Sequence, residues 1–341
     1  MKSIVYTRHG SADVLRLEER ELPEPAAGEV RVRIVVSGVN PTDWKKRVGT
    51  GDGASTEAPS VPNQDGAGVV DAVGEHVDTV AVGDRVWILL AAHERVGSGT
   101  AQQYTVVPAE RVVVLPDAIG FDEGASLGVP AITAHRALTV AEGGPARLGP
   151  GALAGRTVLV SGGAGAVGHA AIQLARWAGA TVIATVSSDA KGALATAAGA
   201  QHVLDYTLGG LAADIRSIAP QGVDIVVEVA AGVNAALNTS VLRVGATVAV
   251  YGNDKGSQLT LDFRPNLELN ARYQFVLLYS LGLDALRSAT LDITAALGDG
   301  ALPVGESAGL PLHRFPLEQT ADAHRAVESG IVGKVLIDVG E

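Results

Sequence analysis

With 341 residues the chain holds material for about two or three domains, and an apolar fraction of 47% is enough to give each a core. The formal net charge of −11 argues against nucleic acid and anionic membrane surfaces as partners. Cysteine is absent, which excludes disulfides, a thiolate nucleophile and thiolate metal ligands, and fits a cytoplasmic setting.

Taken in order, the N-terminus lacks the apolar stretch of a signal peptide and reads as a strand. Residues 30–36 alternate apolar and polar and end at Ser37-Gly38. Further short strands are expected over 68–74, 84–90, 104–107 and 112–115, punctuated by Gly and Pro at the spacing of an antiparallel sandwich or barrel. Helical periodicity is weaker over 121–140, and the Gly- and Pro-rich stretch 143–155 reads as a hinge loop. From residue 156 the rhythm changes. Apolar strands at 157–161, 181–186, 203–204, 224–227 and 246–250 alternate with helical patterns such as 166–178 and 190–198. Continuous apolar strands separated by helices predict a parallel sheet covered on both faces, a doubly wound α/β fold. A strand over 274–278, helices over 283–297 and 318–329 and a strand over 334–339 close the chain. No apolar run reaches the roughly 18–20 residues of a membrane span.

Ser161-Gly162-Gly163-Ala164-Gly165-Ala166-Val167-Gly168 follows the first of these buried strands and opens an amphipathic helix. Gly163, Gly165 and Gly168 make the G-x-G-x-x-G pattern of a dinucleotide site. One glycine serves the tight turn, one the approach of a pyrophosphate, and Gly168 the close packing of helix on strand. Alone the pattern is weak, but here it has the strand, the helix and further β-α units behind it. The next strand runs into Val186-Ser187-Ser188, without the acid that an adenosine ribose prefers, and Lys191 follows. This favours NADPH. The competing reading has Asp189 capping the next helix and Lys191 as a solvated charge.

Beyond the glycine turn, the chain is similar along almost its whole length to the quinone oxidoreductase, zeta-crystallin-like branch of the zinc-free medium-chain dehydrogenase/reductases. The matching segments, in order, are Gly38-Val39-Asn40-Pro41-Thr42-Asp43, Asp65-Gly66-Ala67-Gly68-Val69-Val70, Val82-Gly83-Asp84-Arg85-Val86, Thr133-Ala134-His135-Arg136-Ala137-Leu138, Tyr251-Gly252-Asn253 and Gly333-Lys334-Val335. The resemblance implies a GroES-like, β-rich catalytic domain from residues 1–128 and 268–341, around a Rossmann domain from 129–267. It implies that Ser187, Lys191 and Tyr206 surround the 2′-phosphate. Thr133 would lie near the nicotinamide, Tyr251, Gly252, Asn253 and Lys334 would line the cofactor, and Asn40 would stand at the active-site mouth beside Asp43 and Trp44. Zinc-dependent relatives carry Gly-His-Glu where this chain has Asn63-Gln64-Asp65-Gly66, and Trp44 and Lys45 depart from the tyrosine often found two residues after Asp43. The eight histidines show no metal-ligand spacing.

The expected reaction is hydride transfer from NADPH to a quinone or an α,β-unsaturated carbonyl, with Asn40 hydrogen-bonding the developing enolate oxygen. Asp43 either caps a helix or takes part in the chemistry. An enoyl reductase acting on a polyketide-type intermediate, or an NADPH-binding protein with a structural or stress role, stand as alternatives. Residues 273–279 form an apolar edge strand, so a homodimer is expected.

Overall fold

A computed structural model describes residues 1–49, 53–253, 256 and 258–340. The chain forms two compact units, Met1–Val129 with Pro311–Glu341, and Pro130–Leu310.

The first unit contains β1 (Lys2–Arg8), β2 (Arg16–Glu19), β3 (Glu29–Val39), α1 (Pro41–Val48), β4 (Ser55–Ser60), β5 (Asp65–Val73), β6 (Arg85–Ile88), β7 (Tyr104–Pro108), β8 (Val112–Val114) and α2 (Phe121–Ala125). A longer helix, α3 (Gly128–Thr139), carries the chain into the second unit. In β3 the alternation does what its period requires: Val30, Val32 and Ile34 are fully buried, while Arg31 and Arg33 are only partly so. Arg31 is held on its face by Asp71 of β5, whose Oδ2 accepts from Nε at 2.6 Å. β5, β7 and the chain's last strand all pair with β3 antiparallel, which makes β3 the centre of this sheet.

The second unit holds β9 (Thr157–Ser161), α4 (Ala166–Trp177), β10 (Thr181–Val186), α5 (Asp189–Ala197), β11 (His202–Asp205), α6 (Leu211–Ile218), β12 (Val223–Glu228), α7 (Ala231–Val241), β13 (Leu242–Val250), α8 (Phe263–Glu268), β14 (Arg272–Phe275) and α9 (Leu283–Gly298). Its six strands are all parallel in the order β11-β10-β9-β12-β13-β14. Val158, Leu159 and Val160 of β9 and Ile225, Val226 and Val227 of β12 are buried at successive positions, as strands covered on both faces must be. The strand order reverses between β9 and β12, and a doubly wound sheet binds its ligand outside the carboxyl ends of the strands at that point. β15 (Leu312–Pro316), α10 (Thr320–Glu328) and β16 (Lys334–Asp338) then complete the first unit.

The expected return to the first unit at residue 268 falls instead at Pro311. β14 pairs with β13 from Thr247↔Arg272 to Val250↔Phe275, so this segment extends the parallel sheet rather than leaving it. The strand itself begins two residues earlier than the periodicity predicts, and Leu278–Ser280 is a 3-10 turn.

Candidate active site

The glycine turn lies where β9 ends and α4 begins. The positive φ falls on Gly162, at 71°, one residue before the first glycine of the pattern. A Cβ on Gly168 would stand 2.3 Å from the Gly162 carbonyl oxygen, so only glycine lets α4 lie this close to the turn. Gly163 packs against β10 and α5: a Cβ there would meet Ala184 Cβ at 2.8 Å and Ala195 Cβ at 3.3 Å. At Gly165, the N-cap of α4, a Cβ would find only the Gly162 oxygen at 3.5 Å. The protein itself leaves space at Gly165, so its missing side chain leaves the helix N–H groups open to an anion. Ala164 is buried behind the turn, and Ala166 and Val167 form the first turn of α4.

At the end of β10, Lys191 Nζ donates to Ser187 Oγ at 2.9 Å. The N-cap of α5 is Ser188, whose Oγ accepts from the Lys191 N–H at 3.4 Å, so Asp189 is an exposed first-turn residue and not the cap. Tyr206 follows β11 with its N–H on the Val186 oxygen at 3.0 Å, and its side chain is exposed. Ser187, Lys191 and Tyr206 thus share the ends of two neighbouring strands. Thr133 is buried on α3. Tyr251 donates its N–H to the Glu228 carbonyl, and the Asn253 side chain is engaged locally, its Oδ1 accepting from Gly232 N–H at 3.0 Å.

Glu228 escaped the sequence reading. It ends β12 with no exposure, and its carboxylate accepts from Ala230 N–H at 2.6 Å and from the side-chain amides of Asn234 and Asn238 at 3.0 and 2.8 Å. Asn234 also donates to Ser161 Oγ at 3.1 Å, which ties the start of α7 to the end of β9. An acid closing the apolar run Ile225-Val226-Val227 was its only signal.

The first unit gathers a second set of polar residues. Asn40 caps α1, and its N–H donates to Asp43 Oδ2 at 2.7 Å, so Asp43 does act in a cap. Its carboxyl is nonetheless pushed up to about 7, by burial first and by the nearby Asp65 carboxylate second. Asn40 Nδ2 donates to Asp65 Oδ2 at 2.6 Å, and Lys334 Nζ donates to Asn40 Oδ1 at 2.8 Å. Lys334, expected along the cofactor, is only 1% exposed and is committed to these two side chains. Asn40, expected at the active-site mouth, is 2% exposed, and one amide hydrogen remains to it beyond these bonds. Trp44 is half-buried, with Lys45 Nζ 5.7 Å from its ring centre.

A cavity of about 290 Å³ lies at the opposite, N-terminal end of the parallel sheet, lined in part by Arg156, Asp224, Arg243 and Arg272. Asp224 Oδ1 already accepts from Arg156 at 2.8 Å and Arg243 at 2.6 Å, and Arg272 pairs with Glu142, so this cluster braces the strand ends rather than marking the chemistry.

Residues 26–117 match the family model of the alcohol dehydrogenase GroES-like domain, and residues 166–289 that of the zinc-binding dehydrogenase. The quinone oxidoreductase of Sus scrofa is 30% identical, over 99% of this chain and 97% of its own. A solved NAD-dependent alcohol dehydrogenase superposes over 100% of both chains with a TM-score of 0.86 at 27% identity. The mycobacterial protein Rv1454c, solved complexed with NADPH, superposes over 99% of both chains with a TM-score of 0.81 at 28% identity.

The second family description names zinc, and the residues here do not fit it. No thiol exists in the chain. No group of three or more His, Asp or Glu side chains among the described residues is placed to hold a metal. Asp65 is bonded to an ammonium, which repels a second cation.

Proposed function

The chain belongs to the quinone oxidoreductase branch of the medium-chain dehydrogenase/reductases, and on that premise we propose that it is a zinc-independent reductase that passes hydride from NADPH to a quinone or an α,β-unsaturated carbonyl. The observation that carries this reading is the pair formed by the open glycine turn and the Lys191–Ser187 contact beside it. The turn suits a pyrophosphate, and a cation at the carboxyl end of β10 suits a 2′-phosphate.

NADPH, when bound, supplies the hydride. Gly163 to Gly168 offer backbone N–H groups to its pyrophosphate, while Ser187, Lys191 and Tyr206 receive the 2′-phosphate. Thr133, Tyr251, Gly252 and Asn253 line the rest, as the family pattern implies. An NAD site usually carries an acid for the ribose hydroxyls at the end of this strand, and serines stand at 187 and 188 instead. With no zinc to polarise an alcohol, an acceptor whose conjugated oxygen spreads the incoming charge is the suitable substrate. The free amide hydrogen of Asn40 is the donor for that oxygen.

Oxidation of NADPH by 9,10-phenanthrenequinone and by simple enones, each with and without EDTA, tests the reading. Turnover with either acceptor, unchanged on chelation and without stoichiometric zinc by elemental analysis, is expected. Loss on chelation with recovery on adding zinc would refute it, as would turnover only with alcohols.

A further inference from the structure

Asn40 ties two carboxylates together. Its backbone N–H holds Asp43 Oδ2 at 2.7 Å, and its side-chain N–H holds Asp65 Oδ2 at 2.6 Å. Lys334 Nζ closes the string, donating to Asn40 Oδ1 at 2.8 Å and to Asp65 Oδ2 at 3.2 Å. None of the four residues is more than 3% exposed. They come from α1, β5 and β16, and Gly38 of β3 makes room for them. A Cβ at Gly38 would lie 2.1 Å from the Ala125 carbonyl oxygen, 3.1 Å from Lys334 Cε and 3.2 Å from Asp65 Cβ.

This cluster sets two acids against one base. An uncompensated buried charge is costly, so the cluster keeps a proton at a pH where exposed carboxylates have lost theirs. Both oxygens of Asp65 are occupied: its Oδ1 accepts from Val129 N–H at 2.8 Å and its Oδ2 accepts from Asn40 Nδ2 and Lys334 Nζ. Asp43 differs, because its Oδ1 is buried with no hydrogen-bond partner. A proton on that oxygen removes the excess charge and breaks no bond.

We propose that Asp43 is the proton store of this reductase, supplying the proton that the reduced acceptor takes up, and that Lys334 and Asp65 are positioning residues joined to it through Asn40. The proposal rests on the reductase reading above. In the reductive step a C–H bond forms at the acceptor carbon, and the displaced π pair moves to the acceptor oxygen. The Asp43 O–H bond breaks, its proton passes to that oxygen directly or through water, and the carboxylate left behind is reprotonated from solvent. The hydride is the only reductant consumed.

The groups facing Asp43 support this assignment. Burial and Asp65 raise its proton affinity, whereas the Asn40 N–H, Lys334 and Lys46 lower it. Tyr6 of β1 is a further neighbour, its pKa raised by burial, and Arg47, buried one turn along α1, donates to Glu328.

The test is a pH titration of the cofactor-free protein by carbon-13 NMR of labelled aspartates, with Asp43→Asn identifying the signal. A midpoint near 7 is expected for Asp43. Lys334→Met should raise it by about one unit or more, and Asp65→Asn should lower it. Lys334→Arg, which keeps the charge, should leave it in place. The alkaline limb of kcat/KM for quinone reduction should move with the midpoint. If Lys334→Met fails to fold, Asp65→Asn still decides, because it leaves the cluster with one acid and one base. Titration of Asp43 among ordinary carboxylates, or a midpoint that neither variant moves, would overturn the proposal. So would a midpoint that moves while the rate limb stays fixed, since the stored proton would then go unused. A shifted midpoint in a protein that turns over no quinone or enone would refute the reductase reading and leave the charge coupling standing.

Discussion

Lys191 reaches back along the first turn of α5, and its ammonium donates to Ser187 Oγ at 2.9 Å, which holds a positive charge at the carboxyl end of β10. NADPH is therefore expected to bind at least about tenfold more tightly than NADH, a difference of about 1.4 kcal/mol. Lys191→Ala should erase most of that margin. Fluorescence titration measures both affinities, and equal values in the wild type would point to Asp189 holding a ribose instead.

Two glycines of the turn should respond differently to alanine. Gly168→Ala puts a methyl 2.3 Å from the Gly162 oxygen, a backbone atom that cannot step aside. We expect it to destabilise the protein by about 1–3 kcal/mol and to abolish cofactor binding. Gly165 has φ −80°, which alanine adopts freely, and nothing nearer than 3.5 Å to its Cβ position. Gly165→Ala should therefore melt like the wild type yet bind NADPH at least about tenfold more weakly, because its methyl stands where the pyrophosphate approaches. Unaltered affinity in Gly165→Ala would show that the pyrophosphate lies elsewhere.

Two buried histidines give the protein an acid-sensitive component. Burial depresses His169 to about 4 and His324 to about 3. His169 Nε2 meets the Ala308 oxygen at 2.9 Å and His324 Nε2 meets Asn63 Oδ1 at 3.0 Å, so each ring is placed as a neutral donor. For a base with a depressed native pKa, the stability is present above the unfolded value of about 6.5 and is lost as pH falls through the native one. His169 should account for about 3 kcal/mol of such loss. Asp43 works in the other sense. Its native pKa is raised, so its contribution is full below about 4 and is lost as pH rises through about 7. Denaturant unfolding at several pH values should show a weaker acid loss in His169→Gln and His324→Gln than in the wild type. Slopes identical to the wild type would mean that the rings are already charged in the fold.

The edge of the parallel sheet carries Phe275, 65% exposed, and Leu277, 59% exposed, at the end of β14. An open apolar edge promotes association, and a second copy related by a two-fold axis is the simplest cover. Light scattering should show a homodimer at micromolar concentration, and Phe275→Asp or Leu277→Asp should shift it toward monomer. Proline at 276 would be a poor probe, because Val276 N–H already donates to the Val250 oxygen at 2.8 Å within the same chain. A monomeric wild type would end the dimer proposal, and a dimer indifferent to both charges would move its interface away from β14.

Much of the scaffold was legible because it depends on local rules. The alternation of residues 30–36 marked the buried face of β3, and the change of rhythm after residue 156 marked the parallel sheet. The turn at 161–168 could be read from its glycines together with the strand before it and the helix after it, although the positive φ proved to sit on Gly162. Lys191 could be picked out as a cation near the end of β10, and the resemblance named Ser187 beside it, whereas the capping of α5 by the adjacent Ser188 was not legible.

The chain's own order of residues determined its periods, its turns, its lack of thiols and the pattern of a dinucleotide site. Each of these follows from side-chain size, backbone freedom or composition within a short stretch. Which polar groups meet in the interior was decided by the tertiary structure. Asn40 and Lys334 are 294 positions apart, and they touch only because β16 pairs with β3 in a register that sets Leu336 opposite Gly38. A slip of one residue would turn Lys334 to the other face of the sheet, and with it the charge that balances Asp65. No local pattern encodes that pairing, because the free energy that selects it belongs to the packed core around it.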